Sequence, residues 1–241
     1  MSDRPKLNRV LLKLSGEAFA GEAGFGLDAA AVNYIAEQIV DVHNAGVQTA
    51  VVIGGGNFIR GGVFSREGGI EEAVAHYMGM LGTLMNALPL QEAVEKLGVS
   101  SRVMSAIEVE AVCETFIRRR ALRHLERGRI VILAAGTGNP FFTTDTAAAL
   151  RAQELGADAL VKATKVDGIY DKDPMAHADA SRFSEISYDE AIRRRLQVMD
   201  QTAFTMCREY QLPIIVLSIF EKGAMKQAAL GKRVGTLVGG E

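Results

Sequence analysis

Hydrophobic residues recur along the chain in two patterns. Residues 47–53 form a short, almost wholly apolar run, which is typical of a buried parallel strand. Residues 29–44 instead carry apolar side chains three and four residues apart, the spacing of a helix with one buried face, and Asp28 can cap that helix. These apolar positions are Val32, Ile35, Ile39 and Val42. The sequence therefore mixes buried strands with amphipathic helices.

The two patterns alternate to the end of the chain. Pro89 could interrupt the longest predicted helix, because proline lacks the N–H of a helical hydrogen bond. Predicted strands cover residues 10–14, 47–53, 102–107, 129–135, 159–163, 213–218 and 234–238. Predicted helices cover residues 29–44, 70–97, 115–127, 144–155, 188–196, 202–210 and 223–230.

This alternation predicts an α/β fold, a three-layer α/β/α sandwich around a mostly parallel central sheet. No Pro/Ser-rich linker and no repeat of 20–50 residues divides the sequence, so we expect a single domain over residues 1–241. Ligands of such folds bind beyond the carboxyl ends of the strands. The loops that follow the strands are therefore where functional residues are expected.

Composition narrows the function classes. With 48% hydrophobic residues the chain is not disordered, and 27 basic against 29 acidic side chains give a net charge of −2, which argues against a nucleic-acid or membrane-surface partner. Cys113 and Cys207 lack the spacing of a disulfide framework or a zinc site. The sequence shows neither an apolar run of about 18 residues nor a signal peptide. We therefore expect a cytoplasmic protein.

The chain has 25 glycines against 5 prolines, and the loops after three predicted strands are rich in glycine. Gly16 follows the first strand, residues 54–56 follow the second, and residues 136–138 follow the strand that ends near Ala135. Glycine lets backbone N–H groups approach an anion closely, and a following helix N-terminus adds a positive dipole. The alternative is that the glycines only make tight turns between strands and helices. Three such loops at one sheet edge, with Lys13 and Arg60 beside them, favour phosphate binding.

Other phosphate-binding signatures are missing from the sequence. It contains no GxxxxGK[ST] motif, so a P-loop enzyme is excluded, and no HRD or DFG motif, so a protein kinase is excluded. No GxGxxG follows the first strand, which weakens a dinucleotide-binding interpretation.

Three segments resemble the amino-acid kinase superfamily: KLSG at residues 13–16, GGGN at residues 54–57, and KATKVDGIY at residues 162–170 with Asp173-Pro174 after it. GTGNPFFTTD at residues 136–145 and MGML at residues 78–81 are similar to the bacterial UMP kinase family within it. The resemblance extends from about Arg9 to Leu237. It implies phosphoryl transfer from ATP to UMP, with Mg²⁺ accompanying ATP and no metal ligated directly by the protein. It also implies a homohexamer activated by GTP and inhibited by UTP.

The resemblance also assigns residues to sites, mainly UMP in the N-terminal part and ATP in the C-terminal part. The charged catalytic centre would be Lys13, Arg60, Asp145 and Asp200. ATP would contact Lys13, Leu14, Ser15, Gly16, Gly56, Arg60, Thr164, Tyr170 and Asp173. UMP would contact Gly55, His76, Thr137, Gly138, Asn139, Pro140, Phe141, Phe142, Thr143 and Thr144.

Apart from the resemblance, the chemical properties of the charged residues also suit phosphoryl transfer. Phosphoryl transfer needs positioning and neutralisation of charge, which Lys13 and Arg60 can supply from separate loops. Asp145 and Asp200 can each orient a lysine or hold Mg²⁺ through water. Because the acceptor is an ionised phosphate oxygen, no general base is required. The alternative for Asp145 is a helix cap, for Asp200 a solvated or capping aspartate, and for Lys13 a surface lysine at a strand end.

At one position the sequence departs from the family. His76 stands where family members usually have an aspartate that contacts the UMP ribose. An imidazole can also bond a hydroxyl, and the alternative is a histidine that points elsewhere.

The segment at residues 118–129 is rich in arginine, and Arg119, Arg123 and Arg127 form a stripe on the predicted helix. From sequence alone a solvated face is the simpler interpretation. The resemblance instead places an intersubunit GTP site in this region and assigns the loop at residues 21–26 to the activation machinery. Its predicted residues are Arg102, Arg118, Arg129, Gly21, Glu22, Ala23, Gly24, Phe25 and Gly26.

Two other functions stay open. The chain could be another superfamily enzyme, one that phosphorylates a carboxylate or a small phosphate. It could also be a non-catalytic module that senses nucleotides. The 136–145 motif argues against the first, and the retained charged centre argues against the second.

Overall fold

The computed structural model describes residues 6–59, 69–174, 176–177, 179–196 and 199–239. Its strands are β1 (Arg9–Leu14), β2 (Gln48–Ile53), β3 (Ser101–Ser105), β4 (Glu114–Thr115), β5 (Ile130–Ala134), β6 (Ala159–Thr164), β7 (Glu185–Ile186), β8 (Ile214–Ser218) and β9 (Thr236–Val238). Its α-helices are α1 (Ala29–Asn44), α2 (Glu72–Lys96), α3 (Arg118–Glu126), α4 (Thr144–Leu155), α5 (Tyr188–Arg193), α6 (Gln201–Glu209) and α7 (Ala224–Ala229). Short 3₁₀ helices cover Gly16–Phe19 and Gly21–Ala23.

The strands form one nine-stranded sheet in the order β4-β3-β5-β2-β1-β6-β8-β9-β7. Within it β8 and β9 pair antiparallel, and the other neighbours pair parallel. The prediction of a mostly parallel sheet is therefore confirmed. In the central pair β1 and β6, Lys13 lies opposite Lys162.

The strands bury both of their faces. Leu12 and Leu14 of β1 pack into one core with α1, α2 and α7, whereas Leu11 packs into a second core with α3, α4 and α6. Successive strand residues point to opposite faces, so the sheet lies between two helical layers. The predicted three-layer sandwich is confirmed.

Local signals placed α1 correctly. The Asp28 carboxylate accepts a 2.7 Å hydrogen bond from Ala31 N, as an N-cap does, and the helix ends at Asn44. Gly46 follows with a φ of +78°, a left-handed conformation that favours glycine.

Two predictions need correction. Helix α2 continues through Pro89 without interruption, because packing of Ala87 and Leu90 in the core outweighs the lost hydrogen bond. Thr115, predicted to begin a helix, instead belongs to β4 and pairs with Ser105 of β3, and the helix starts at Arg118.

Among the described helices, none is long and apolar enough to span a membrane.

Candidate active site

Three charged side chains meet where β1 and β6 run side by side. Asp145, in the first turn of α4, lies between two lysines: its Oδ1 is 2.8 Å from Lys13 Nζ, and its Oδ2 is 2.7 Å from Lys162 Nζ. Each of the three side chains is less than 15% exposed. The lysine–aspartate–lysine cluster formed by Lys13, Asp145 and Lys162 therefore holds two ammonium groups around one carboxylate.

The cluster keeps its carboxylate ionised. Burial by itself would raise the pKa of Asp145, but the nearby ammonium groups of Lys13 and Lys162 outweigh burial and hold that pKa below its ordinary value. Burial lowers the pKa of Lys162, and the Asp145 carboxylate opposes this shift. Asp145 thus stabilises the charged form of Lys162 in a partly desolvated place.

Asp200 joins the N-termini of two helices. It caps α6 by accepting a 3.0 Å hydrogen bond from Ala203 N, and its carboxylate also accepts hydrogen bonds from the hydroxyls of Thr143 and Thr146. Thr143 in turn caps α4. The capping role considered for Asp200 is therefore present, together with contacts that fix the start of α4 beside Asp145.

The glycine loops after β1 and β2 touch through their backbones. Gly54 N donates a 2.9 Å hydrogen bond to Leu14 O, and a Cβ on Gly16 would lie 2.6 Å from Gly56 N. A Cβ on Gly55 would lie 2.4 Å from Gly79 O of α2, whereas one on Gly56 would meet open space. Glycine is thus required by close approach at residues 16 and 55, and Gly56 leaves its backbone accessible.

A cleft of about 370 Å³, called here the first cleft, lies between α2, the Gly55 loop and the N-terminus of α4. It brings together eight of the ten residues predicted to contact UMP, namely Gly55, His76, Thr137, Asn139, Phe141, Phe142, Thr143 and Thr144. Gly138 instead packs with a φ of +81° against Ala106, and Pro140 is not among the lining residues. Most of the residues predicted to contact UMP therefore lie together in one cleft.

His76 points into the first cleft. Its ring lies 5.2 Å, centroid to centroid, from that of Phe141, and its Nε2 is 3.6 Å from Glu72 Oε1. Phe141 has a φ of +69°, which is strained for a residue with a Cβ. The structure therefore contradicts the alternative in which the His76 side chain points away from this cleft.

A second cleft of about 660 Å³ lies at the carboxyl end of β6. It is lined by Thr164, Tyr170 and Asp173, all predicted to contact ATP, and by Lys162 of the charged cluster. The two clefts therefore converge on Asp145, which touches Lys162 and directly follows Thr144 of the first cleft.

The remaining predicted ATP residues take different positions. Leu14 is wholly buried, and its carbonyl oxygen accepts the hydrogen bond from Gly54 N. Ser15 precedes the 3₁₀ helix that begins at Gly16. Arg60, predicted to contact ATP and to belong to the catalytic centre, lies outside the described residues.

The arginines predicted for the effector site separate into two places. Arg102 lies 3.8 Å from Glu114, which pairs at 3.2 Å with His124, and the His124 ring contacts Arg129 at 3.0 Å. These residues thus form one network near the β4 edge of the sheet. Arg118 instead donates to the backbone carbonyl of Glu154.

The loop at residues 21–26 lies elsewhere. Gly21, Glu22 and Gly24 line a third cavity of about 910 Å³ beside α1, and Gly26 exchanges hydrogen bonds with Asn57. Within the described residues no hydrogen bond or ion pair connects this loop with the arginines of the effector site.

Metal ligands are scarce around the charged cluster. Across the described ranges no group of three or more His, Cys, Asp or Glu side chains could hold a metal ion. Both carboxylate oxygens of Asp145 face lysines, and those of Asp200 face hydroxyls. Divalent metal would therefore have to bring most of its ligands with it, as a nucleotide phosphate complex does.

Lys162 lies within the KATKVDGIY motif, but the resemblance does not assign it to the site. A signal was present, because a lysine in the middle of a central strand is otherwise costly to bury. Its register opposite Lys13 could not be read without the pairing of β1 with β6.

The chain is similar to known proteins in both sequence and structure. The chain matches the model of the Amino acid kinase family over residues 8–218. It is 53% identical over 232 residues to a uridylate kinase of Xanthomonas campestris pv. campestris, with 96% of each chain covered. The UMP kinase of Bacillus anthracis is similar with 39% identity and a TM-score of 0.94, covering 98% of this chain and 97% of the other. That of Ureaplasma parvum has 30% identity and a TM-score of 0.90 over the whole of both chains.

Proposed function

The chain belongs to the amino acid kinase family and, within it, to the bacterial UMP kinases, and on that premise we propose that UMP binds in the first cleft and ATP in the second. The observation that carries this assignment is the convergence of the two clefts on Lys13, Asp145 and Lys162. The N-terminal part of the chain would then serve the acceptor and the C-terminal part the donor, within one domain over residues 1–241.

The proposed mechanism is positioning with charge neutralisation. The ammonium groups of Lys13 and Lys162 would face the phosphoryl group in transfer, while Asp145 holds them in place and keeps Lys162 charged. Open backbone at Gly56 and the N-terminus of α4 add donors for phosphate oxygens. The UMP phosphate attacks as an ionised oxygen, so no side chain needs to remove a proton.

Mg²⁺ is proposed to enter as the ATP complex. Its chemistry there is to neutralise the phosphate oxygens of the donor. Asp145 and Asp200 would act on that complex through water or through the groups they orient, since their carboxylate oxygens already have protein partners.

A substrate panel tests the acceptor assignment. With saturating Mg²⁺ and ATP, we expect ADP release with UMP, and none with AMP, aspartate or acetylglutamate; CMP measures selectivity for the uracil ring. Absence of turnover with UMP would contradict the proposal. Turnover with a carboxylate would favour another superfamily activity, and binding of nucleotides without any turnover would favour a sensing module.

Assembly into a homohexamer is a second part of the proposal. Val74, Tyr77, Leu81 and Met85 form an apolar stripe on one face of α2, here called the α2 stripe, and each is 44–51% exposed. Side chains three and four residues apart on a helix share a face, and a second copy of the chain could cover this apolar face.

We further propose that GTP activates the assembly by binding near the Arg102–Arg129 network and that UTP inhibits it.

Arg129→Gln tests the effector site. Loss of one charge-assisted hydrogen bond is expected to raise the GTP concentration for half-maximal activation about tenfold. The rate without GTP and the inhibition by UTP are expected to stay as they are. The control is Arg193→Gln, whose side chain is 77% exposed and bonds only Glu190 among the described contacts.

Light scattering on the same samples measures the assembly. A mass of six chains is expected for the natural sequence and for both variants, and the mass of one chain would contradict the hexamer. Unchanged GTP activation in Arg129→Gln would show that Arg129 does not belong to the effector site.

A cytoplasmic location stays a prediction, consistent with the free thiols of Cys113 and Cys207.

A further inference from the structure

Helix α2 turns the face opposite the α2 stripe toward both loops of the first cleft. On this face Gly79 and Gly82 bring the helix backbone against Gly55, and Thr83 N would lie 3.0 Å from a Cβ placed there. Thr83 and Asn86, one helical turn apart, extend polar groups from the same face. The helix is therefore in direct contact with the loop after β2.

Thr83 holds the start of the loop after β5. Its Oγ1 accepts a 2.6 Å hydrogen bond from Ala135 N and donates one of 2.7 Å to Met80 O. Ala135 is fully buried and has a φ of +60°, a left-handed conformation that is unfavourable for a residue with a Cβ. Because no water reaches this N–H, the hydroxyl of Thr83 is the partner that satisfies it.

The conformation of Ala135 matters for the cleft that follows it. Gly136, Thr137 and Asn139 line the first cleft immediately after this residue. A change in the backbone direction at Ala135 would therefore move these lining residues together.

Asn86 holds the other loop. Its Nδ2 donates to Gly54 O at 2.7 Å and to Asn57 Oδ1 at 2.8 Å, and Asn57 Nδ2 returns a 2.9 Å hydrogen bond to Asn86 Oδ1. Asn57 also donates to Gly26 O at 2.6 Å. Both asparagine side chains are buried, so they form a satisfied polar network that fixes the Gly54 loop on α2.

We propose that Thr83 and Asn86 are positioning residues for the acceptor. They tie the two loops of the first cleft to one helix and thereby set the separation of the loops that receive UMP. This inference rests on the proposed binding of UMP in the first cleft. Thr83 also lines the first cleft, and neither residue lines the second, so the effect should fall mainly on the acceptor.

Kinetics separate positioning from a merely structural role. Thr83→Val keeps the shape of the side chain but leaves Ala135 N without an acceptor, and we expect the KM for UMP to rise about tenfold while the KM for ATP stays unchanged. Thr83→Ser, which restores the hydroxyl, is expected to recover most of the affinity. Asn86→Leu is expected to raise the KM for UMP as well, because Gly54 O loses its donor.

Thr49→Val is the matched control. Thr49 is also fully buried, and its hydroxyl donates to Val47 O at 2.9 Å at the opposite end of β2. Loss of stability alone would lower the active fraction, and hence the maximal rate, in both threonine variants without changing either KM. If Thr83→Val does not fold, Thr83→Ala removes the same acceptor and is judged by the same criterion.

An unchanged KM for UMP in Thr83→Val, or an equal rise in both KM values, would overturn the inference. Phe142→Ala shows whether the assignment of the cleft falls with it. If Phe142→Ala raises the KM for UMP and Thr83→Val does not, only the positioning role is wrong. If both leave it unchanged, UMP binds elsewhere and both conclusions are wrong.

Discussion

Replacement of Lys13 by methionine is expected to lower kcat about 10²–10³-fold, the loss typical of removing one preorganised group from a developing charge. Methionine keeps most of the apolar stem of the side chain, so packing along β1 should change little. The ammonium group lies 2.8 Å from Asp145 in a site that is mostly closed to water, where its charge acts more strongly than it would in solution. The two KM values should change much less than kcat.

The measurement is steady-state kinetics with UMP and ATP, together with light scattering to follow assembly. Lys96→Met is the control, since Lys96 is exposed at the last turn of α2. If Lys13→Met retained kcat within about threefold, a barrier change below about 1 kcal/mol, Lys13 would not be catalytic.

Asp145→Asn is expected to have two effects, on stability and on the pH profile. The variant leaves two ammonium groups close together without their carboxylate, and breaking a buried ion pair in this way costs about 3–5 kcal/mol. For a chain of this length that corresponds to a fall in Tm of roughly 10 °C.

The pH dependence of the variant has a definite sign. The Asp145 carboxylate opposes the burial that lowers the pKa of Lys162, so its removal should lower that pKa further. The required form of Lys162 is the charged one, which is lost as the pH rises through its pKa. The variant should therefore lose activity at a lower alkaline pH than the natural sequence does.

Asp189→Asn serves as the control for both effects. Asp189 forms a surface ion pair with Arg208 and is 69% exposed, and such pairs contribute little to stability. An Asp145→Asn variant with an unaltered Tm and an unaltered pH profile of kcat would show that the lysine–aspartate–lysine cluster does not organise the site.

Hydrophobic periodicity and helix capping were enough to predict the helices and strands that form the core. The helix after Asp28 and the central strands were predicted because their signals are local, in side chains within one or two turns of each other. The two-residue strands β4 and β7 carry no such periodicity and exist only through pairing with β3 and β9. Thr115 was assigned to a helix for this reason.

Motif similarity grouped eight lining residues of the first cleft, but it missed Thr83 and Asn86, which tie the loops of that cleft to α2. Thr83 and Asn86 act through the backbone atoms of Ala135 and Gly54, and those partners are 52 and 32 residues away in the sequence. Lys162 was missed similarly, because its neighbour Lys13 becomes adjacent only across the β1–β6 pair. Contacts of this kind depend on strand order, which no local pattern contains.

The short strands at the two ends of the sheet have a consequence for how copies of the chain associate. Both β4 and β7 are only two residues long, so the outermost strands of the described sheet offer a neighbouring strand very little length to pair with. Long exposed edges invite continuous strand-to-strand growth and fibre formation. With edge strands this short, any association between copies would rely on side-chain surfaces of the helices, where it can be specific and stop at a finite number.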